Sequence, residues 1–242
     1  ESLAALSSDQ VLALRTAQIF ALTTQQIKDL STTSLRMLST SQVAAIETGD
    51  IQVLGIESLA ALSSDQVRAL QSAQIFALTT NQINALGTAT VSVLKTGQLS
   101  ALTSTYLNAL TTEAVASLSS AQVTGLTTTQ VAGLNSQILN ALQTDTIRAF
   151  NTNLIVGLTS GQIRDLSTAT LTALTTSQVA AIETGDIQAL GSESLAALSS
   201  NQVQVLRTAQ IVALSSNQVS DLSTATLRML TTAQAAAIET GD

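Results

Sequence analysis

The feature that most constrains this chain is a strict repeat of eight residues. An apolar residue stands at every eighth position from Leu6 to Ile238, and 26 of these 30 residues are leucine. With this residue as position 1, position 3 is Ser or Thr in every octad except one, and position 6 is Val, Ile or Leu in every octad except one. We therefore treat residues 1–242 as a single uninterrupted array of 30 octads, a segment of a longer array.

Longer duplications keep the same register. Residues 1–50 and 193–242 are identical at 36 of 50 positions, and further similarities are offset by 56 and 136 residues. These offsets are 7, 17 and 24 octads, and 7 and 17 share no divisor with two, three or four. We infer that single octads are nearly interchangeable.

The period and the charges together indicate short helices. Eight residues overshoot two helical turns by about 80°, so a continuous helix would lose its apolar face, and a period of eight fits neither type of supercoil. Thirteen of the sixteen acids lie at positions 2, 4 or 5 and six of the nine cations at position 7, which suits a helix dipole within each octad. The sequence predicts an all-α solenoid with one very short helix per octad. A β-solenoid is the alternative, because Thr and Val favour strands.

The helix start has two possible assignments. The hydroxyl at position 3 suits an N-cap, since its oxygen could accept from the free N–H groups of the first turn. Alternatively, position 2 is the cap and Gln at position 5 completes a capping box. We expect position 3, because position 2 is sometimes Arg15, Glu47, Gln71 or Lys95. Helices this short are not stable alone. They must bury positions 1, 6 and 8 against neighbouring octads, as in a solenoid with three to four octads per coil.

The composition excludes several classes of function. The chain has no His, Cys, Trp or Pro and a net charge of −7. It therefore lacks the usual ligands of zinc, haem and iron–sulfur groups, and its hydroxyl groups lack a partnering base. We expect no enzymatic activity and no cofactor. The acidic charge disfavours nucleic acid, and no apolar run is long enough for a membrane span.

The motif ETGD is the one weak candidate for a metal site. Two carboxylates within four residues could supply oxygens to Ca²⁺, which takes six to eight oxygen ligands. The neighbouring Glu57 or Glu193 could add others. The simpler explanation is that these acids stabilise helix N-termini. The candidate ligands are Glu47, Asp50, Glu183, Asp186, Glu239 and Asp242.

Three aspartates stand at position 8, where a helix C-terminus disfavours an acid. A cation seven residues later is the simplest expected partner: Arg36 follows Asp29, and Arg228 follows Asp221. Asp165 has Thr172 at that place. Either an ion pair or a cap on the next corner fits these residues better than catalysis does.

Two further patterns concern the surface. Octads stacked in register would align the position-3 hydroxyls in rows, which could order water at an ice surface, unless these hydroxyls serve as caps. We expect Phe20, Phe76 and Tyr106 to lie on the outer face as possible lateral contacts.

The recurring run Leu-Thr-Thr-x-Gln-Val-x-Ala, as in LTTQQIKDL from Leu22 and LTTNQINAL from Leu78, resembles repeat tracts of large secreted or cell-surface adhesin-like proteins of Gram-negative bacteria. The resemblance implies a structural role outside the cell or at its surface. We expect a rigid stalk or filament-forming segment that self-associates or packs on neighbouring repeats. The alternative is a ligand-binding repeat module, either stiffened by Ca²⁺ or ice-binding.

Overall fold

A computed structural model of the chain describes residues 7–238. The chain divides into two compact units, Glu1–Gly125 and Leu126–Asp242. In the described part of both units every regular element is a helix, and there is no strand. The predicted all-α solenoid of short helices is therefore confirmed, and the β-solenoid alternative is wrong. The organisation as one uninterrupted array stays a prediction.

Each octad of the described range forms one helix of four to seven residues. The helices of the first unit are α1 Ser8–Leu12, α2 Thr16–Phe20, α3 Thr24–Lys28, α4 Thr32–Met37, α5 Thr40–Ala44, α6 Thr48–Ile51, α7 Ile56–Ala60, α8 Ser64–Ala69, α9 Ser72–Ala77, α10 Thr80–Ala85, α11 Gly87–Val91, α12 Thr96–Leu99, α13 Ser104–Ala109, α14 Thr112–Ala116 and α15 Ser120–Val123. Those of the second are α16 Thr128–Ala132, α17 Ser136–Ala141, α18 Thr144–Arg148, α19 Thr152–Val156, α20 Ser160–Arg164, α21 Thr168–Ala173, α22 Thr176–Ala181, α23 Thr184–Ile187, α24 Ser192–Ala197, α25 Ser200–Gln204, α26 Thr208–Val212, α27 Ser216–Ser220, α28 Thr224–Met229 and α29 Thr232–Ile238.

The N-cap is position 2, so the assignment to position 3 is wrong. In α5, Ser39 has extended backbone angles (φ −65°, ψ 161°), and its hydroxyl accepts from the N–H of Gln42. Gln42 Oε1 in turn accepts from the N–H of Ser39 at 2.7 Å. This is a capping box. The position-3 residue, Thr40, is already the first helical residue, and a capping side chain must stand one residue before it.

Octads with a long side chain at position 2 keep one half of this cap. At Arg15, Gln71 and Lys95 no side chain caps the helix. The glutamine three residues later still accepts from the N-cap N–H at 2.7–2.9 Å. Glutamine at position 5 therefore closes the helix start whatever side chain precedes it.

Within each unit the helices stack in coils. A helix packs most extensively on the helix three places further along the chain, as α5 does on α8 and α19 on α22. The glutamine and arginine side chains that bond between coils join residues 25 to 31 apart, as in the bonds from Arg68 to Val93 and from Gln42 to Val11. One coil thus takes between three (25/8) and four (31/8) octads, as the sequence predicts.

The core consists of two columns of apolar side chains. Every position-1 residue from Leu30 to Leu214 is buried, and so is every position-6 residue from Val11 to Ile211. Position 8 lies close to the preceding coil, because a Cβ added to Gly125 would overlap the side chain of Thr96. Small residues at position 8 therefore permit the close approach of neighbouring coils.

One corner departs from the standard geometry. Gly87 has a φ of +66°, and Leu86 before it has helical angles instead of the extended cap. A Cβ at Gly87 would meet nothing within 4 Å, so it is the backbone angle that requires glycine here.

The described helices are all short, the longest having seven residues. None of those in residues 7–238 has the length and apolar character to cross a membrane.

Candidate functional site

The most distinctive polar feature is a set of buried glutamines at position 5, which we call the glutamine ladder. Each side-chain amide donates to two main-chain carbonyls, 28 and 31 residues earlier, where the preceding coil turns its corner. Gln42, for example, donates from Nε2 to Leu14 at 2.7 Å and to Val11 at 2.9 Å. The members are Gln42, Gln66, Gln74, Gln82, Gln98 and Gln122 in the first unit and Gln162, Gln178, Gln202, Gln210, Gln218 and Gln234 in the second.

The ladder is regular and fully enclosed. Its bonds to the carbonyl 28 residues earlier measure 2.6–2.9 Å, and those to the carbonyl 31 residues earlier measure 2.7–3.5 Å. The ladder side chains are at most 6% exposed. In the described residues no buried side-chain nitrogen or oxygen lacks a partner. A buried amide that satisfies three main-chain groups avoids the cost of leaving them unpaired.

Sequence reasoning considered this glutamine only as a possible capping residue and missed its second role. A capping box accepts Glu as readily as Gln. Position 5 nevertheless holds sixteen glutamines and no glutamate, although the chain has seven glutamates elsewhere. Only the amide carries a donor, so this imbalance was a signal that Nε2 itself has an acceptor.

The candidate calcium ligands occupy different environments. Glu47 and Glu183 are exposed N-cap residues without a side-chain cap bond. Asp50 and Asp186 take the position of the ladder glutamine and are buried, and Asp186 accepts a hydrogen bond from Ser160. Glu239 and Asp242 lie outside the described residues.

Residues 7–238 contain no group of three or more His, Cys, Asp or Glu side chains that could hold a metal ion. Neither Glu57 nor Glu193 therefore completes such a group around the ETGD motifs. Calcium binding at these motifs stays a prediction.

A cavity of about 430 Å³ lies beside the first ETGD motif, lined by Phe20, Gln71, Gln74 and the segment 44–49. Its two amides are already engaged: Gln71 Nε2 donates to Ala44, and Gln74 Nε2 donates to the carbonyls of Val43 and Ile46. The cavity lies at a corner between helices, and the hydrogen bonds of its lining residues do not identify a ligand.

The aspartates at position 8 have other partners than the predicted cations. Asp165 accepts from Arg164 at 3.0 Å and from Ser136, a position-3 residue of the preceding coil, at 3.1 Å. The bond from Arg164 and then the bond from Ser136 hold the pKa of Asp165 below its ordinary value.

The other two aspartates accept hydrogen bonds from neutral side chains. Asp221 accepts from Ser192, which again lies 29 residues earlier, and Asp29 accepts from Gln25 in its own helix. The predicted partners Arg36 and Arg228 are therefore wrong. A hydroxyl or amide already within reach satisfies the carboxylate without ordering a long cationic side chain.

One acid in a first helical turn behaves as the dipole argument expects. Glu113 lies in the first turn of α14. Its own backbone N–H and then the Thr111 hydroxyl lower the pKa of its carboxyl group. The charged form of Glu113 is thus favoured at this helix N-terminus.

The position-3 hydroxyls are mostly exposed and are not N-caps. Thr16, Thr24 and Thr96 are exposed, while Ser72 donates across coils to the Gly97 carbonyl at 3.0 Å. The sequence argument against an ice-binding row of hydroxyls was that these hydroxyls serve as caps, and this argument no longer applies. Ice binding stays a prediction.

Position 7 is exposed in most of the described octads and half-buried in the others, as at Ala44 and Ala180. Phe20 and Phe76 are 58% and 52% exposed, as the sequence predicts. Tyr106, at position 5, is half-buried instead and packs edge-on against Phe76, with ring centroids 6.4 Å apart. A single aromatic contact of this kind stabilises the surface by about 0.5–1.5 kcal/mol.

The comparisons with known proteins agree with the repeat structure. No curated protein matches the chain significantly. The family model of the ALTTAQ repeat matches residues 43–80, 106–136 and 179–216, together less than half of the chain. The first and third segments are related by the 136-residue offset. The chain is thus a helical repeat protein with three segments similar to the ALTTAQ repeat.

Proposed function

We propose that the chain is a non-enzymatic structural segment, a rigid stalk or filament-forming element of a bacterial protein located outside the cell or at its surface. The glutamine ladder is the observation that carries this proposal. Within each unit it ties successive coils together through bonds that recur in both units.

The ladder favours a stiff structural element, because its hydrogen bonds resist bending between coils. Bending between two coils would stretch short, buried hydrogen bonds to main-chain carbonyls, such as those of Gln98 to Val67 and Leu70 at 2.8 and 2.7 Å. Each bond contributes about 0.5–1.5 kcal/mol and costs more when broken without a substitute. The absence of proline and the small number of glycines, 11 in 242 residues, agree with a regular array.

Location and role come from the resemblance to adhesin-like repeat tracts and are part of the proposal. A surface stalk needs length and stiffness and no reactive group. The outward residues are exposed and varied, which suits a spacer whose contacts are made at its ends or by other segments.

The shape of the single chain in dilute solution tests the proposal. With three to four octads per coil and about 10 Å between packed helices, thirty octads should extend roughly 75–100 Å. We expect small-angle X-ray scattering to give a rod-like distance distribution that reaches this length. A matched variant with residues 57–112 duplicated should extend the rod and keep its cross-section. A compact particle, or a widening cross-section, would overturn the proposal.

A further inference from the structure

The first two ETGD corners of the chain provide an internal comparison. The first corner belongs to the first unit and the second to the second unit, 136 residues later. Nine residues line the cavity of about 430 Å³ at the first corner, and seven of them recur unchanged at the second. The two that differ are Gln71, which becomes Arg207, and Phe20, which becomes Val156. The two corners therefore share most of their residues and differ at two side chains.

At the second corner the chain binds a guanidinium group of its own. Nη2 of Arg207 donates to the carbonyl of Ile182 at 2.9 Å. The same carbonyl accepts from the ladder residue Gln210 at 2.8 Å. A carbonyl oxygen has two lone pairs, so both are engaged here. An ETGD corner can thus hold one guanidinium group beside the ladder.

The first corner has the same acceptor but a shorter side chain in place of the arginine. In residues 7–238 the carbonyl of Ile46 accepts from Gln74 alone, at 2.7 Å. The amide of Gln71 donates to Ala44 instead. Ile46 is one of the residues that line the cavity. One lone pair of its carbonyl therefore remains for another donor.

Two further side chains at the first corner favour a cation. Glu47 lines the cavity, is exposed and has no side-chain cap bond, and neither ion pair in the described residues includes it. Phe20 lines the same cavity and is 58% exposed. The face of an aromatic ring attracts cations, and the guanidinium group of arginine stacks on it especially well. The corner that lacks the arginine is thus the one that has the aromatic ring.

We propose that the cavity at the first ETGD corner binds the guanidinium group of a ligand, in the place that Arg207 fills at the second. The group donates to the carbonyl of Ile46 and stacks on Phe20, and the carboxylate of Glu47 balances its charge. A guanidinium group suits this set better than an ammonium group, because its planar fork of donors can bond while its face stacks on a ring. A free guanidino compound and an arginine side chain of a peptide share this chemistry. Such a site goes beyond the structural role and does not depend on it.

Glycine amides report on the two corners separately. Gly49 lines the cavity, and Gly185 takes the equivalent place at the second corner. With ¹⁵N supplied only in glycine, NMR follows the amides of the chain's eleven glycines during titration with ethylguanidinium, at concentrations that leave the circular dichroism unchanged. The variants Gly49→Ala and Gly185→Ala assign the two signals, since an added Cβ would meet nothing within 4 Å at either position. We expect Gly49 to shift until saturation and Gly185 to stay in place.

Exchange of residues between the corners gives matched variants. Gln71→Arg supplies the first corner with the arginine of the second, and the shift of Gly49 with ethylguanidinium should then disappear. Val156→Phe with Arg207→Gln gives the second corner the composition of the first, and Gly185 should then shift. Each substitution introduces a residue that already stands at the equivalent corner, and the remaining glycine signals check that the fold is kept.

Single substitutions and related ligands define the contacts. Phe20→Val and Glu47→Gln should each weaken binding of ethylguanidinium about two- to fivefold, as expected of an exposed cation–π contact and an exposed ion pair. Ethylammonium, which has the same charge without the planar fork, should bind more weakly. A blocked Ala-Arg-Ala peptide distinguishes the two sources: tighter binding than ethylguanidinium indicates an arginine within a peptide, and weaker binding indicates a free guanidino compound.

Four results would overturn the inference. The first is a Gly49 signal that does not move in the unaltered chain. The second is an equal shift of Gly185, which would show that guanidinium acts on the surface without selecting a corner. The third is a full shift of Gly49 in Gln71→Arg, which would place the bound cation elsewhere. The fourth is equal binding of ethylammonium, which would contradict the choice of a guanidinium group.

Discussion

At the scale of single residues, the decisive choice in this fold is glutamine against glutamate. Both side chains can cap a helix start through an oxygen. Glutamine adds an N–H donor on the same group, and in this chain that donor binds the preceding coil. One residue type therefore joins local helix formation to tertiary stacking. Because both tasks fall on one side chain, changes at position 5 should affect stability more than changes at the exposed positions of the octad.

Replacement of a ladder residue tests this coupling. Gln74 is 1% exposed; its Oε1 accepts from the N–H of Gln71, and its Nε2 binds Val43 and Ile46. We expect Gln74→Met to lower the free energy of unfolding by at least about 2 kcal/mol, since each buried group left unsatisfied costs about 1–3 kcal/mol. Chemical denaturation measures the change.

The control is Gln52→Met, at an exposed position-7 site, where we expect a change within about 0.5 kcal/mol. Equal effects of the two substitutions would show that the buried amide contributes nothing beyond its volume.

At the scale of helices, much of the structure could be predicted from the octad. The period, the two apolar positions and the separation of acids from cations predict one short helix per octad, buried through positions 1 and 6. The cap could not be decided, because Ser or Thr at positions 2 and 3 are both suitable by type. Ser31 caps α4 although position 5 there is Ser34, so the choice of position 2 does not depend on the glutamine. It follows from the geometry of the corner.

The partners of the position-8 aspartates were missed for a different reason. Sequence reasoning compared Asp165 with residues one helix away. Ser136, its partner in the preceding coil, is 29 residues earlier, and this distance depends on the number of residues per coil. Such contacts can be predicted only when the number of residues per coil is known. For the same reason, the carbonyl partners of the glutamine amides could not be identified from the sequence.

The carboxyl group of Asp165 provides a prediction at this scale. Because Arg164 is the larger cause of its lowered pKa and Ser136 the smaller, we expect Arg164→Gln to raise this pKa more than Ser136→Ala does. Thr172→Ala should leave it unchanged, since the Thr172 hydroxyl bonds to Thr168 and Ala169 in its own helix. Carboxyl NMR titration of Asp165 measures all three.

The same shift has a consequence for stability. A carboxyl group whose pKa is lower in the folded chain stabilises the fold fully above its unfolded-state pKa, and this contribution disappears as the pH falls through the folded-state value. Asp165→Asn should therefore flatten the decrease in melting temperature over that acidic range. An unchanged slope, or the reverse order of the two partner substitutions, would contradict the assignment.

At the scale of the whole molecule, stability should depend on complete octads. Neighbouring coils meet through main-chain carbonyls and through columns of similar apolar residues, so a glutamine can bind the corner of almost any octad. Repeat arrays of this kind are stabilised by nearest-neighbour contacts. The duplications by 7, 17 and 24 octads are compatible with such a rule, because each preserves the octad register.

Two deletions of different length test the rule. Removing residues 174–181 takes out one octad, and Gln202 would then stand opposite the carbonyls of Ile163 and Leu166, a position-6 and a position-1 residue. Removing residues 174–177 would set Gln202 opposite Ser167 and Thr170, which form no corner. We expect the first variant to keep its helix content and cooperative melting, and the second to lose both in the second unit.

Circular dichroism and amide hydrogen exchange distinguish the two deletion variants. Similar exchange protection around Gln202 in both would show that the eight-residue register is not what the coils recognise.

The outward direction of position 7 has a practical consequence. Phenylalanine, valine, arginine, asparagine and serine all occur there, and none belongs to the glutamine ladder or to the apolar columns. Arg68, Asn140 and Arg148 nevertheless bond to main-chain carbonyls of the neighbouring coil. Surface chemistry can thus be altered with little effect on the scaffold at the position-7 sites that are exposed and make no bond to a neighbouring coil, such as Gln52 and Gln188. An engineer could attach dyes, sugars or binding peptides at chosen intervals along such a chain, using its periodicity as a molecular ruler.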